Sequence, residues 1–432
     1  MNIKRDNSSY KILKWGIWAY FLLLLFEGAL RKWFLPFLSG PLAIVRDPLA
    51  FWILIVALKR GYLALNRYVV STFFVGIIAL GTTFLLGHGN LAVSIYGARI
   101  ILLQFPLIFV IGRVLYLKDV LAMGKVLVYL AIPMTVLMAL QFYSPQSAWV
   151  NRGIGGDLEG AGFSGALGFY RPPGTFTFIS GLTQYYSLAA CFIIYFWFKQ
   201  HLINRVVLTL ASLSFIMAIP FSISRTLLYQ TVITILFLLF ALSQKAENIP
   251  KIVFGSIGFI VILILLSSTS LLETPLDAFT ARFEGATKYE GGVGGTIVDR
   301  YLGGMITSIF GSSDIPFFGY GMGIGTNAGG KILTGEITTL FYAEDEWSRL
   351  IGESGLLLGF TFILIRVVLS IDLTIKAYFK LKNGDQLPWL LVSVCIILIA
   401  NGQWGQITAL GFTIFTAGIL IVTLNDQTKL GN

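Results

Sequence analysis

The chain has 432 residues, 56% hydrophobic and only 12% charged, with a net charge of +10 and a mean hydropathy of +0.81. Soluble domains hold ~45–50% apolar and ~25% charged residues, so a soluble globular protein is excluded. No basic aromatic patch accompanies the positive charge, so no nucleic-acid partner is expected and the lipid bilayer is.

Apolar runs of ~20 residues are long enough to cross a bilayer. About twelve are predicted, near 12–30, 46–63, 68–86, 92–113, 119–142, 176–198, 203–221, 225–243, 251–268, 350–370, 387–404 and 406–424. The first follows MNIKRDNSSYKILKW and continues into FEGALRKWFLP without a small-residue cleavage site, so it reads as a retained span. The expected fold class is all-α: a polytopic membrane protein with helices one to nine in 1–268, a large, partly helical outer loop at 269–349, and helices ten to twelve in 350–432.

Basic residues set the orientation. Lys4, Arg5, Lys11, Lys14, Lys59, Arg60, Arg67, Arg113, Lys118, Lys125, Lys199, Arg205, Lys245, Lys251, Arg366, Lys376, Lys380, Lys382 and Lys429 fall on one side. The positive-inside rule makes that side, and both termini, cytoplasmic. Connections there are short, leaving no room for a cytosolic catalytic domain. The opposite side has two long segments, 143–175 and 269–349, and loops beyond ~15 residues are usually functional or disordered. The second carries Ile306, Ile309, Phe310, Phe317, Phe318 and Tyr320, so it is expected to fold against the membrane surface. Its glycine runs, GGVGG at 291–295 and GYGMGIG at 319–325, permit tight turns. They lack the strand–helix context of a nucleotide fingerprint. Cys191 and Cys395 lie inside apolar runs, and the two histidines, His88 and His201, form no cluster with metal-ligand spacing, so neither metal nor cofactor is expected.

Ionisable groups at the outer face need a reason that topology does not supply, because charge within a span is expensive. Arg99, in YGARIILLQFPL, either snorkels, pairs with a carboxylate or binds a ligand. Arg171, in YRPPGTF, sits where proline fixes the backbone; the alternative is a surface turn. Arg225, in FSISRTLL, is surrounded by Ser222, Ser224 and Thr226, and otherwise serves as an interfacial anchor. Guanidiniums converging from separate helices would make a phosphate site, because Arg binds phosphate through a planar fork. Glu27 and Arg31 are spaced for an intrahelical pair, Arg46 and Asp47 for a charged turn capping the second span, and His88 reads as an incidental loop residue.

The loop-closing stretch AEDEWSRLIGESGLLLG, 343–359, crowds acids at the foot of a span. Asp345 and Glu346 suit the positive end of a helix dipole. Arg349 and Glu353 are spaced to pair. Glu344 precedes the helix and is the candidate base, able to take a proton from an acceptor hydroxyl while cations steady a departing phosphate. Trp347 can stack on a sugar face, with Asp345 beside it.

The layout resembles the O-antigen ligase and O-antigen polymerase family of bacterial GT-C-type membrane glycosyltransferases. RPPGTF at 171–176, SISRT at 222–226, FGYGMGIG at 318–325 and the 343–359 segment are similar to family elements in the same order. The resemblance implies an undecaprenyl-diphosphate-linked oligosaccharide donor, a glycan or lipid-linked acceptor, no metal or cofactor, and inversion at the anomeric carbon. It also implies a location in the cytoplasmic membrane with the active site facing the periplasm or exterior, beside polysaccharide-assembly proteins. Arg99, Arg171 and Arg225 fit the diphosphate-binding role, with Arg300 or Arg349 assisting. Family ligases carry a histidine where this chain has Glu344, which points to a polymerase or related exopolysaccharide enzyme. The alternative in another class is a transporter or flippase for a lipid-linked anionic glycan, whose path would need polar groups through the membrane depth; a non-catalytic scaffold is a third reading.

Overall fold

The computed structural model describes residues 7–244, 269–290, 306, 315–335 and 345–425. Among them, ten helical segments are long and apolar enough to cross a membrane, from Tyr10–Phe34 to Ile407–Leu424. The chain is a nearly all-α, multi-pass membrane protein. The run expected at 387–404 forms a shorter apolar helix, Leu387–Asn401, and the run expected at 251–268 lies outside the described residues.

In chain order, the helices are α1 (Asn7–Ala29), α2 (Arg46–Lys59), α3 (Arg67–Leu85), α4 (Leu91–Ala98), α5 (Phe105–Val114) and α6 (Leu117–Tyr143). They continue as α7 (Ile179–Phe198), α8 (Arg205–Ser222), α9 (Arg225–Ser243), α10 (Ser270–Glu290), α11 (Asn327–Thr334), α12 (Glu346–Lys382), α13 (Leu387–Asn401) and α14 (Ile407–Leu424). Side-chain caps start several of them: Asn66 accepts from Val69 N–H at 3.0 Å, Asn90 from Val93 N–H at 3.2 Å and Asp345 from Ser348 N–H at 2.9 Å. Each occupies a backbone donor that the helix itself leaves unpaired.

In a bilayer, helices associate by close packing rather than by hydrophobic transfer, so small residues mark the contacts. Helix α14 runs through the middle of the bundle against α5, α13 and α7. Gly418 lies against Ile111, where an added Cβ would come within 2.6 Å. One two-stranded sheet is described, a hairpin of β1 (Phe163–Ala166) and β2 (Phe169–Arg171) within the 143–175 segment. Two helices of the 269–349 segment are described, α10 and α11, and α10 packs on α8 and β1.

Helix α12 is two helices meeting at Gly355, whose φ of 74° and ψ of 172° are not helical. The short piece 346–354 folds back along the long one. This corrects the placement of Arg366 among the cytoplasmic cations. Its side chain is buried, 3% exposed, and bonds Glu346 Oε1 at 2.7 Å, the Ile399 carbonyl at 2.8 Å and the Gly402 carbonyl at 2.7 Å. The kink brings Glu346 to it, which linear spacing along a straight helix would not, and the end of α13 supplies the two carbonyls.

Candidate functional site

Helix α10 of the 269–349 segment meets α8 and the hairpin of the 143–175 segment, and an arginine cluster forms there. Arg171 ends β2, Arg225 is the first residue of α9, and Arg282 lies on α10. Burial and the nearby charges of Arg282 and Arg225 pull the Arg171 pKa below its ordinary value. Arginine keeps its charge throughout the accessible pH range, so these cations repel one another at close quarters. Arg225 also sits at the positive end of a helix dipole, where a cation is disfavoured and an anion favoured. An anion bound at Arg171 would offset both its burial and the repulsion from its neighbours.

Local structure holds this cluster. Ser222 Oγ accepts from Ser224 N–H at 3.1 Å, and Ser224 accepts from Leu227 N–H at 3.4 Å to start α9. Between them Ile223 has φ +46°, a left-handed conformation rare for a β-branched residue. Its side chain is buried and lies over Gly165, where an added Cβ would meet Ile223 at 2.8 Å and the Arg171 stem at 3.4 Å. Two of the hydroxyls expected to surround Arg225, those of Ser222 and Ser224, therefore shape the turn that presents it. Arg171 is followed by a pinned turn: Gln141 accepts from Gly174 N–H at 2.8 Å, and Thr175 donates to the Leu25 carbonyl at 2.9 Å.

Lys32 pins that turn from the other side. It is fully buried on a π-helical turn, Leu30–Phe34, and donates to the carbonyls of Gly174 at 2.6 Å and Phe176 at 2.8 Å. The Trp33 ring lies 4.4 Å from its amine. Lys32→Leu is expected to leave the buried Phe176 carbonyl without this donor, at ~1–3 kcal/mol, while the Gly174 carbonyl keeps Gln141 Nε2–H at 3.2 Å, and to lower the unfolding midpoint in detergent. An unchanged midpoint would remove the clamp.

Arg99 belongs to a second set. It donates to both Asp47 carboxylate oxygens at 3.0 and 2.9 Å, and Gln104 donates to Asp47 at 2.6 Å. The Tyr96 ring lies 4.0 Å from its guanidinium, and its buried Nε and Nη2 have no hydrogen-bond partner among the described residues. Of the alternatives for Arg99, the carboxylate pair is present. Beside it Glu27 takes Arg31 at 3.2 Å and Arg46 at 3.0 Å. The Glu27–Arg31 pair forms as the spacing suggests; Arg46 and Asp47, neighbours in sequence, serve different partners. No residue named here is shared by the Arg99 set and the Arg171 cluster.

A third set closes the large loop. Arg349 bonds Glu346 at 3.0 and 2.7 Å and Glu353 at 2.6 Å, so its guanidinium is committed to protein carboxylates. Asp345 caps α12, and Trp347 donates its indole N–H to the Ala400 carbonyl at 3.0 Å. The glycine-rich turn docks on this helix start: Tyr320 N–H reaches the Gly352 carbonyl at 2.8 Å and Gly321 N–H the Glu353 carbonyl at 2.9 Å. His88 locks the turn from α3's end. Its Nδ1 accepts from Asn90 N–H at 3.0 Å, so its Nε2 carries the proton and donates to the Met322 carbonyl at 3.1 Å. Glu344 and Arg300 lie outside the described residues.

Sequence reasoning missed Arg282 and Lys32, and read Asp47 as part of a charged turn rather than as the partner of Arg99. For Arg282 a signal existed: Leu272, Leu276, Phe279 and Phe283 recur at helical spacing along SLLETPLDAFTARFEGATKYE. For Lys32 and Asp47 there was none, since their partners are distant in the chain. A cavity of about 600 Å³ lies among Arg67, Tyr68, Arg113, Leu369, Asp372 and Lys376, remote in the fold from the arginine cluster. Among the described residues no three His, Cys, Asp or Glu side chains gather as metal ligands. Comparison with family models, with curated proteins and with solved structures finds no match for this chain.

Proposed function

We propose that the chain is an inverting, metal-independent membrane glycosyltransferase of the O-antigen polymerase and ligase type. Its donor is an undecaprenyl-diphosphate-linked glycan, and its acceptor a second glycan or lipid-linked sugar. The reading places it in the cytoplasmic membrane with both termini inside and the arginine cluster on the periplasmic or exterior face. The observation that carries it is the gathering of Arg171, Arg225 and Arg282 from a hairpin, a helix N-terminus and a loop helix. Such a set matches the charge and forked geometry of a diphosphate.

In this mechanism the acceptor hydroxyl attacks the anomeric carbon, the bond from that carbon to the diphosphate oxygen breaks, and the hydroxyl proton passes to a carboxylate. The arginines stabilise the charge growing on the diphosphate, a role in which one donor is worth ~10²–10³ in rate. Glu344 is assigned as the base and Arg300 as an assisting cation on their sequence positions, whereas Arg99, bound to Asp47 in the second set, is not assigned to the anion. Arg349, Trp347 and Asp345 act by holding the loop-closing helix start.

The test is reconstitution into liposomes with a labelled lipid-linked oligosaccharide. Arg171→Ala, Arg225→Ala and Arg282→Ala are each expected to lower formation of new glycosidic bonds ~10²-fold with protein levels retained, and Glu344→Gln to do the same. Normal product from all four would overturn the assignment. Movement of the labelled lipid across the bilayer without new bonds would assign a transporter instead.

A further inference from the structure

The hairpin that delivers Arg171 has an unusual turn. Strands β1 and β2 pair antiparallel, with Ala166 opposite Phe169, so only Leu167 and Gly168 form the loop. Both have positive φ, 51° for Leu167 and 81° for Gly168. A two-residue hairpin loop with positive φ at both positions is the type I′ geometry, which strongly prefers Asn-Gly. Leucine gains nothing there from backbone conformation, because its Cβ crowds the carbonyl in the left-handed region. Burial does not explain it either: Leu167 is 63% exposed, with Tyr170 at 44% and Phe163 at 41% beside it. The other hairpin aromatic is used internally, since Phe169 stacks on Phe142 at 4.6 Å. An exposed leucine held in an unfavourable conformation calls for an apolar partner.

Position identifies that partner. Strand β2 leads from the turn to Arg171, and from Leu167 to Arg171 is about four residue steps, at most ~13 Å at ~3.3 Å per residue. A lipid diphosphate seated on the arginines would therefore run its first chain units past the tip. We propose that the Leu167 tip is an apolar subsite for the hydrocarbon chain of a lipid diphosphate whose phosphates bind at Arg171, Arg225 and Arg282. The inference rests on the diphosphate reading of that cluster and adds what distinguishes a lipid from a free phosphate.

The test is equilibrium binding to the purified full chain in detergent, with a long-chain polyprenyl diphosphate and with inorganic diphosphate as probes. Leu167→Asn restores the preferred turn residue, so its unfolding midpoint is expected to equal or exceed that of the native chain. It should weaken polyprenyl diphosphate binding ~10-fold, the scale of losing one apolar side-chain contact, and leave inorganic diphosphate binding unchanged. Leu167→Met, still apolar, should retain the lipid affinity. Arg171→Ala should weaken both probes. Equal polyprenyl binding by the native chain and Leu167→Asn, with Arg171→Ala weakening both probes, would overturn the tip subsite and leave the diphosphate site standing. Parallel loss of both probes in Leu167→Asn would also overturn the subsite, as a structural effect. A native chain that binds neither probe would overturn the diphosphate reading itself.

Discussion

Arg349→Met is expected to lower the folding stability of the chain by ~3–5 kcal/mol, the usual cost of removing one partner from a buried ion pair. Arg349 is 4% exposed, and Glu346 and Glu353 are each 2% exposed. In the native chain the two carboxylates share Arg349, and Arg366 supplies a second cation to Glu346. Without Arg349, Glu346 keeps Arg366, whereas among the described residues Glu353 keeps only the Gly325 N–H at 3.1 Å. A buried carboxylate with one neutral donor is poorly compensated. Arg349→Lys preserves charge but not the fork that reaches both acids, so it should fall between the two. Adding Glu353→Gln to Arg349→Met removes the orphaned charge and should recover part of the loss. The measurement is the unfolding midpoint in detergent with size-exclusion profiles. A midpoint unchanged by Arg349→Met would show that the ionic knot contributes nothing to stability.

That knot shows where the sequence is legible. Pairs within one helix turn, Glu27 with Arg31 and Arg349 with Glu353, follow from spacing alone. Apolar runs locate the spans because the bilayer demands continuous hydrophobic length. Asp47 with Arg99, separated by 52 positions, and Lys32 with Gly174, separated by 142, depend on which helices pack side by side. Neither spacing nor composition encodes that choice. Arg366 was assigned by charge counting, and charge counting cannot see a helix that folds back on itself. The order of the 171–176 and 222–226 segments anticipates neither their meeting with Arg282 nor the hairpin that delivers Arg171. Local pattern reaches about one helix turn, while the arginine cluster is assembled from a hairpin, a helix start and a loop helix far apart in the chain.

Gly355→Ala is expected to disrupt the same region through the backbone. At φ 74° and ψ 172°, Gly355 occupies a region essentially reserved for glycine. A Cβ there would also collide with the Phe317 carbonyl. That carbonyl belongs to the glycine-rich turn, which docks through Tyr320 N–H and Gly321 N–H onto the Gly352 and Glu353 carbonyls. Gly319 approaches just as closely: a Cβ at Gly319 would come within 2.6 Å of the Glu353 carbonyl. The two segments thus interlock backbone to backbone, with no side chain able to yield. Relieving the clash requires the turn to lift or the kink to open, and opening the kink draws Glu346 away from Arg366. Either route should cost more than the ~1–3 kcal/mol of a single strained residue. Hydrogen exchange is expected to accelerate across 317–325 and 346–354 while the span Ile179–Phe198 keeps its protection. Unchanged exchange in both segments would mean that the turn and the helix start are not coupled through Gly355.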